Sequence, residues 1–229
     1  MVGSAFGDTI NGGTEFLVSG GFASGTTVNT GGVEVVSSGS TADATRINNG
    51  GTELVFSAGV DDSATVAGTQ VILAGGTANG ADITAGGLEL VSAGGTSDNA
   101  LIDGGVLQVR SGGSTPVVSF STDNGGTLAL ESSQTFTGLI AGFSSPPGVN
   151  ESIDLQDISF GAGTKVTFTE AASNLSGTLT VTCGSETANL TLLGTYSTAN
   201  FTLSSDSHGG TLVKDPAATA AASLTTPQA

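Results

Sequence analysis

The sequence predicts an all-β protein: a parallel β-solenoid (β-helix or β-roll) of about seven coils with 18–19 residues each. Glycine supplies 37 of the 229 residues, more than twice its usual share of ~7%. Glycine pairs recur at nearly constant intervals, and the segments between them are rich in Val, Leu, Ile and Thr without a helical period. Repeats this short cannot bury their own apolar side chains, so neighbouring repeats must stack to form a continuous core.

The repeat begins at a glycine pair. Successive units start at residues 12, 31, 50, 68, 86, 104 and 125, which gives spacings of 19, 19, 18, 18, 18 and 21. The unit at 68 has kept one glycine of its pair, and the unit at 125 is degenerate. With about 4.8 Å between neighbouring strands, seven coils predict a rod roughly 34 Å long.

Each unit has the same internal order. A glycine turn leads into a β segment such as Thr52-Glu53-Leu54-Val55-Phe56, and a second turn of small residues follows. A short second strand then carries one aliphatic residue at a fixed place. Because side chains in one column of a stacked sheet share one environment, this aliphatic column is predicted to form the core: Val28, Ile47, Val66, Ile83, Ile102 and Val118.

The repeat pattern ends near Gly142. The turn-rich segment 142–148 predicts a boundary, and the residues after it contain about six strand-like runs separated by Gly, Asn and Ser. The expected organisation is a solenoid domain over 1–142, a β-rich module over 143–216 that continues or caps the solenoid, and a disordered tail over 217–229.

Composition excludes several functional classes. The chain carries 20 acidic and 4 basic residues, a net charge of −16, so it lacks the basic surface that nucleic-acid binding requires. Cys183 is the only cysteine, and no stretch approaches the ~20 apolar residues of a membrane-spanning helix. The first residues do not form a secretory signal peptide. We therefore expect an excerpt of a longer exported product, or export without a cleaved N-terminal signal.

Stacking the repeats aligns two polar columns. We expect both to form a solvated acidic face; the alternative is that they bind divalent cations such as Ca²⁺, which prefers carboxylate and carbonyl oxygens. The GGxGxD nonapeptide of RTX calcium coils does not occur. One column lies in the β segments and the other in a turn: Glu15, Glu34, Glu53, Gln70 and Glu89; Asp43, Asp62, Asn79 and Asp98.

The C-terminal module holds a separate set of candidate calcium ligands, Asp154, Asp157 and Asp206. Aspartates beside strands also cap turns, which is the alternative role for each of them. No other cofactor is predicted.

The pattern GGxExVxSGGxAxxTxIxxGG resembles the strand-loop-strand repeat of AIDA-type autotransporter passenger domains over about residues 12–142. The series IDLxDIxF, GTLTV and ANLTLLGTY is similar to a terminal module of large secreted proteobacterial repeat proteins, over about 136–216. The AIDA resemblance implies an exported surface adhesin. It also implies O-linked heptose on turn serines, with unmodified serines as the alternative: Ser19, Ser37, Ser38, Ser57, Ser92 and Ser111.

We therefore predict a non-enzymatic protein that is secreted or held at the bacterial cell surface. As an adhesin passenger it would associate with cell-surface or matrix glycans or proteins, or with itself. One alternative is a polysaccharide-active or carbohydrate-binding β-helix, but the chain offers no cleft-forming insertion, no Trp and one Tyr. The other alternative is a passive stalk or export carrier.

Overall fold

The computed structural model describes residues 3–144 and 149–215. The predicted tail over 217–229 and part of the predicted boundary, 145–148, lie outside the described residues. Within these ranges the regular structure is almost entirely β, with 3-10 helices at Ser133–Thr135 and Thr198–Asn200.

The strands are short in the repeats and longer in the C-terminal module. In chain order they are β1 (Ser4–Phe6), β2 (Thr9–Ile10), β3 (Gly13–Leu17), β4 (Phe22–Ser24), β5 (Thr27–Val28), β6 (Gly32–Val36), β7 (Thr41–Asp43), β8 (Arg46–Ile47), β9 (Thr52–Val55), β10 (Val60–Asp62), β11 (Thr65–Val66), β12 (Thr69–Ile72), β13 (Thr77–Asn79), β14 (Asp82–Thr84), β15 (Leu88–Val91), β16 (Thr96–Asp98), β17 (Ala100–Asp103), β18 (Val106–Val109), β19 (Val117–Phe120), β20 (Gly126–Leu130), β21 (Leu139–Ala141), β22 (Glu151–Leu155), β23 (Lys165–Glu170), β24 (Ser176–Cys183), β25 (Glu186–Leu193), β26 (Thr202–Ser205) and β27 (Thr211–Lys214).

These strands form three sheets, so the solenoid has three faces. The first sheet has the order β1-β4-β7-β10-β13-β16, and the second begins β2-β5-β8-β11-β14-β17-β19-β21. The third sheet contains β3, β6, β9, β12, β15, β18, β20 and β22 as consecutive neighbours. A coil crosses the three sheets in turn, and all these pairs are parallel. The predicted parallel β-solenoid of about seven coils is confirmed.

Equivalent residues of neighbouring coils lie side by side. In the third sheet Glu34 pairs with Glu53, and Glu53 with Gln70. The turns stack in the same way, since the Gly75 N–H donates to the Gly94 carbonyl at 2.7 Å, and the Gly94 N–H to the Gly112 carbonyl at 2.8 Å. This continuous backbone ladder explains the period of 18–19 residues.

Each regular coil contains three strands, whereas the sequence predicted two. The additional strand belongs to the first sheet and has three residues, as in β7 and β10. Its middle residue points inward and is small or polar, so it carries no aliphatic signal. The inward residues of this sheet are Ala5, Ala23, Ala42, Asp61, Ala78 and Ser97.

The predicted aliphatic column is fully buried in the second sheet, from Val28 to Val118. The third sheet has a second buried column, whose N-terminal members pack with the alanines of the first sheet: Leu17, Val36, Val55, Ile72, Val91 and Val109. Towards the C-terminal end, aromatic rings fill the interior, where Phe143 lies between Phe120 (ring centroids 5.2 Å apart) and Phe201 (6.4 Å).

The two glycines of a repeat pair have different roles. The first adopts the left-handed conformation that a turn needs, as at Gly50 with φ of +78°. The second packs against the preceding coil: a Cβ on Gly32 would lie 2.5 Å from the Ile10 carbonyl oxygen, and one on Gly51 would collide with the Val28 carbonyl. Repeat glycines therefore set how closely coils stack.

The C-terminal module both continues and caps the solenoid. β22 extends the third sheet in parallel beside β20, and β25 extends the second sheet beside β21. The remaining pairs, β25-β24, β24-β23, β22-β27 and β27-β26, are antiparallel. The module contains the expected six strands in its described residues; the domain division at 142 stays a prediction.

We expect Gly51→Ala to destabilise the protein by about 1–3 kcal/mol, because the added methyl group forces two coils apart. Thermal denaturation would show this as a lower Tm by several degrees. Gly163→Ala is the control, since a Cβ there has no heavy atom within 4 Å. Equal effects of the two substitutions would contradict the packing role of Gly51.

Candidate functional site

The outer face of the third sheet is the most extensive uncharged surface of the regular coils. In β9, β12 and β15 the side chains alternate between half-buried and buried, which separates outward from inward residues. No outward residue from β3 to β18 is charged. These residues are Thr14, Phe16, Val33, Val35, Thr52, Leu54, Thr69, Val71, Leu88, Leu90, Val106 and Gln108.

Charged side chains lie on the other two faces instead. Asp43, Asp62 and Asp98 project from the first sheet, and Asp82 and Asp103 from the second. The third face therefore combines aliphatic and threonine side chains on a flat ladder, extended at its corner by Phe56, which is 41% exposed. Uncharged apolar patches of this kind mark interaction surfaces.

The sequence prediction missed this face because it assigned the glutamates to the outside. Glu34, Glu53, Gln70 and Glu89 have no exposed surface. The expectation of a solvated face is therefore wrong for this column from Glu34 to Glu89, and Glu15 in the first coil is half-buried. The signal was the second glycine of each pair, because Gly51 and Glu53 lie two residues apart and must point to the same side.

Inside the solenoid the polar side chains of two sheets meet. The Gln70 amide nitrogen donates to Glu53 Oε2 at 2.6 Å and to Asp61 Oδ2 at 2.8 Å. The Thr45 hydroxyl donates to Glu34 Oε2 at 3.0 Å. Several carboxyl oxygens remain buried without a partner, among them Glu34 Oε1, Glu53 Oε1, Asp61 Oδ1 and both oxygens of Glu89.

The aspartate column lies on strands of the first sheet rather than in a turn, which corrects the prediction. Asp43, Asp62, Asn79 and Asp98 end their strands and are half-buried. Neighbours in the ladder satisfy them: the Ser24 hydroxyl donates to Asp43 at 3.0 Å, and the Asn79 amide to Asp62 at 2.8 Å. Hydrogen bonds between coils account for this column.

The six candidate serines lie at the corner between the third and first sheets and divide into two groups. Each corner is a four-residue turn whose fourth N–H donates to the first carbonyl, as from Ser40 to Ser37 at 3.0 Å. Ser37 and Ser92 occupy the first position and are half-buried. The exposed group occupies the second position: Ser19, Ser38, Ser57 and Ser111.

The three candidate calcium ligands do not come together. Asp157 accepts hydrogen bonds from the Ser133 N–H (2.9 Å), the Ser133 hydroxyl and the Gln134 N–H (3.2 Å), so it caps a 3-10 helix. Asp206 closes a turn by accepting from the His208 and Gly210 N–H groups at 2.7 and 2.8 Å.

Asp154 and Asp206 line one surface pocket together with Gln156 and His208. Burial raises the pKa of Asp154, although a hydrogen bond from Gln156 opposes this effect. Over residues 3–144 and 149–215, no group of three or more His, Cys, Asp or Glu is placed to hold a metal ion. Calcium binding stays a prediction.

The same described residues contain no helix long and apolar enough to cross a membrane.

We expect Asp157→Ala to lower stability by about 1–3 kcal/mol equally in calcium and in EDTA, because it removes a cap and not an ion ligand. Urea denaturation in both solutions measures this, with Asp123→Ala at an exposed position as the control. The opposite result is that calcium stabilises the wild-type protein but not the Asp157→Ala variant. It would show that Asp157 is a calcium ligand.

Comparisons with known proteins found a family model and a solved structure that are similar to parts of this chain. Residues 9–51 match the AIDA family model, described as "Adhesin of bacterial autotransporter system, probable stalk". The crystal structure of a TibC-catalyzed hyper-glycosylated TibA55-350 fragment is similar, with a TM-score of 0.54 and 31% sequence identity over 63% of this chain. The match covers 52% of that fragment, so this chain spans about half its length. A search of curated proteins gave no match.

The family match lies on the first coils, where the repeat pattern is regular. The resemblance of residues 136–216 to a terminal module of secreted proteins stays a prediction. The family match concerns an autotransporter adhesin, which indicates secretion or display at the cell surface. Residues 9–51 are thus similar to the AIDA family of autotransporter adhesins, and the solenoid that they begin is similar to the hyper-glycosylated TibA fragment.

Proposed function

We propose that the chain is a non-enzymatic surface adhesin passenger, and that it associates with a second copy of itself through the outer face of the third sheet. The observation that carries the proposal is the absence of charge from the outward residues of β3 to β18. The AIDA and TibA similarities support the adhesin class.

Charge explains why this face suits a second copy. The chain has a net charge of −16, so two copies repel each other when their acidic faces approach. On the third face, Leu54, Val71 and Leu90 form a column without any carboxylate. In a two-fold contact the same surface lies on both sides, so a charged face would meet a like charge. An uncharged face avoids this repulsion and can pair with its own copy.

Geometry favours the same arrangement. Each coil contributes two outward residues to the face, such as Thr52 and Leu54, and stacking repeats the pair along the sheet. Flat sheets pack face to face at about 10 Å with interdigitated side chains. Burial of the half-exposed Leu and Val side chains would stabilise the contact by about 25 cal/mol per Å² of apolar area.

We expect the double substitution Leu54→Glu and Leu90→Glu to abolish the settling of cells that display the protein, because it places carboxylates at the centre of the paired faces. Settling over time measures the effect, and far-UV circular dichroism of the purified chain verifies the fold. Val60→Glu on the first sheet is the control, since it adds a carboxylate to a face that already carries Asp62.

Two results would contradict the proposal. Wild-type protein that never causes settling would indicate a passive stalk. Settling that survives the Leu54 and Leu90 substitutions, but is lost with Val60→Glu, would assign association to the first sheet.

The same proposal includes sugar modification of the exposed turn serines, Ser19, Ser38, Ser57 and Ser111. The TibA fragment is hyper-glycosylated by TibC, and these four hydroxyl groups occupy the exposed second position of stacked corner turns. Ser37 and Ser92 occupy the first position and are half-buried, so an enzyme approaches them less readily. Sugars at this corner would border the third face without covering it.

We expect protein co-expressed with TibC to show regular increments in intact mass, and alanine at the four exposed positions to remove most of them. Ser37→Ala with Ser92→Ala is the matched control and should leave the increments nearly unchanged. Unmodified wild-type protein, from this system and from its native host, would overturn the proposal for all six serines.

A further inference from the structure

We propose that the interior acid column makes the N-terminal coils proton-dependent: they are most stable in acid and loosen as the solution becomes neutral and then alkaline. The column consists of Glu34, Glu53, Asp61 and Glu89 with Gln70 among them. It lies between the first and third sheets, and its side chains have no exposed surface.

The register of the coils stacks these groups on one another. Glu34 pairs with Glu53, Glu53 with Gln70, and Gln70 with Glu89 along the third sheet. Asp61 reaches the same interior from the first sheet and shares the Gln70 amide with Glu53. Residues at such places must keep their polar side chains in the core for as long as the coils remain stacked.

The charged neighbours of the column are all acidic. Glu34 faces Glu15 and, at longer range, Asp8; Glu53 faces Asp61, Glu34 and Glu89; and Asp61 faces Glu34, Glu89 and Asp62. The groups that donate to the column are neutral: the Thr45 hydroxyl donates to Glu34, and the Gln70 amide donates to Glu53 and Asp61. No lysine, arginine or histidine is among these neighbours, so protons are the available means of neutralising the carboxylates.

Unpartnered oxygen atoms support the same conclusion. Glu34 Oε1, Glu53 Oε1 and Asp61 Oδ1 are buried without a hydrogen-bond donor. An ionised carboxylate in this position loses its hydration without compensation. A protonated carboxyl group carries less charge and becomes a donor itself, so that it can bond to a neighbouring acceptor in the column.

The pKa values follow from this burial. Desolvation is the largest cause in each case: it raises the pKa of Glu34 and of Glu89 to about 7 and that of Asp61 to about 8, and it raises the pKa of Glu53 well above its usual value. The folded coils therefore retain protons that the unfolded chain releases above its ordinary carboxyl pKa values, near 4. The stability of the coils is therefore greatest below about pH 4 and falls as the pH rises through about 7–8. Above about pH 8 it changes little.

The adjoining coils provide an internal comparison. At the place of Glu89, the next coils have Leu107 and then Leu128, both fully buried. The C-terminal module has its own raised groups, since burial raises the pKa of Glu151 to about 7 and that of Asp215 to about 6. The pH dependence of a global melting curve therefore combines the acid column with the acidic groups of the C-terminal module. Measurements on individual strands are needed to separate the two contributions.

The decisive measurement is native-state hydrogen exchange of the full chain between pH 5 and pH 7.5, corrected for the intrinsic rate. One proton released per opening changes the opening equilibrium tenfold per pH unit. We expect amides of β9 and β12 to open at least about 30-fold more at the higher pH. Amides of β18, whose inward residue in this column is Leu107, should change less than about threefold.

Neighbouring aspartates offer a matched pair of variants. Asp61 points inward and Asp62 outward on the same strand, so Asp61→Asn, alone or with Glu53→Gln, should reduce the pH dependence in β9 and β12 at least about tenfold. Asp62→Asn should change it only slightly, since Asp62 is the smallest of the causes that raise the pKa of Asp61.

Wild-type exchange supplies the test even if a variant does not fold. Equal pH dependence in β9 and β18, or opening of β9 that decreases as the pH rises, would overturn the proposal. Unchanged pH dependence in a folded Asp61→Asn and Glu53→Gln variant would also overturn it.

Discussion

The whole structure depends on the backbone hydrogen bonds that join each residue to its equivalent one coil away. Because Glu34, Glu53 and Gln70 pair in register, a residue chosen for one coil is repeated a short distance above and below itself. Apolar side chains gain from this repetition, since each column becomes a continuous wall of the core. Carboxylates lose from it, since like charges are brought within a few ångströms of each other.

The interior shows how the coils accommodate this constraint. Small residues such as Ala42 and Ala78 on the first sheet pack with the aliphatic column of the third. The Gln70 amide then donates to two carboxyl groups at once, and the Thr45 hydroxyl donates to a third. Replacement of a buried polar group by an apolar one is often neutral or stabilising, and the protein uses that solution from Leu107 onwards.

Periodicity in the sequence was sufficient to predict the coils and the aliphatic column from Val28 to Val118, whereas it left open whether the C-terminal module continues or caps the solenoid. The direction of the glutamate column was not predicted, because Leu54 and Val55 are equally apolar and leave the phase of the strand open. Packing settles the phase: Gly51 must lie against Val28, and Glu53 then has to point inward. The three-residue strands were missed because Ala42 or Asp61 at their centre carries no β signal. The uncharged outer face exists because Glu53 points inward and Leu54 outward. The face could not be predicted until the direction of these side chains was known.

The change from Glu89 to Leu107 within one column also has a consequence for how the chain finds its alignment. Repeats that resemble one another this closely could slip by a whole coil, since the backbone ladder would be regained after 18 or 19 residues. Such a slip at this junction would set a leucine in the place of a carboxyl group, beside Ser97 rather than among aliphatic neighbours. The change from polar to apolar interior residues thus distinguishes otherwise similar coils. It specifies the order in which they stack.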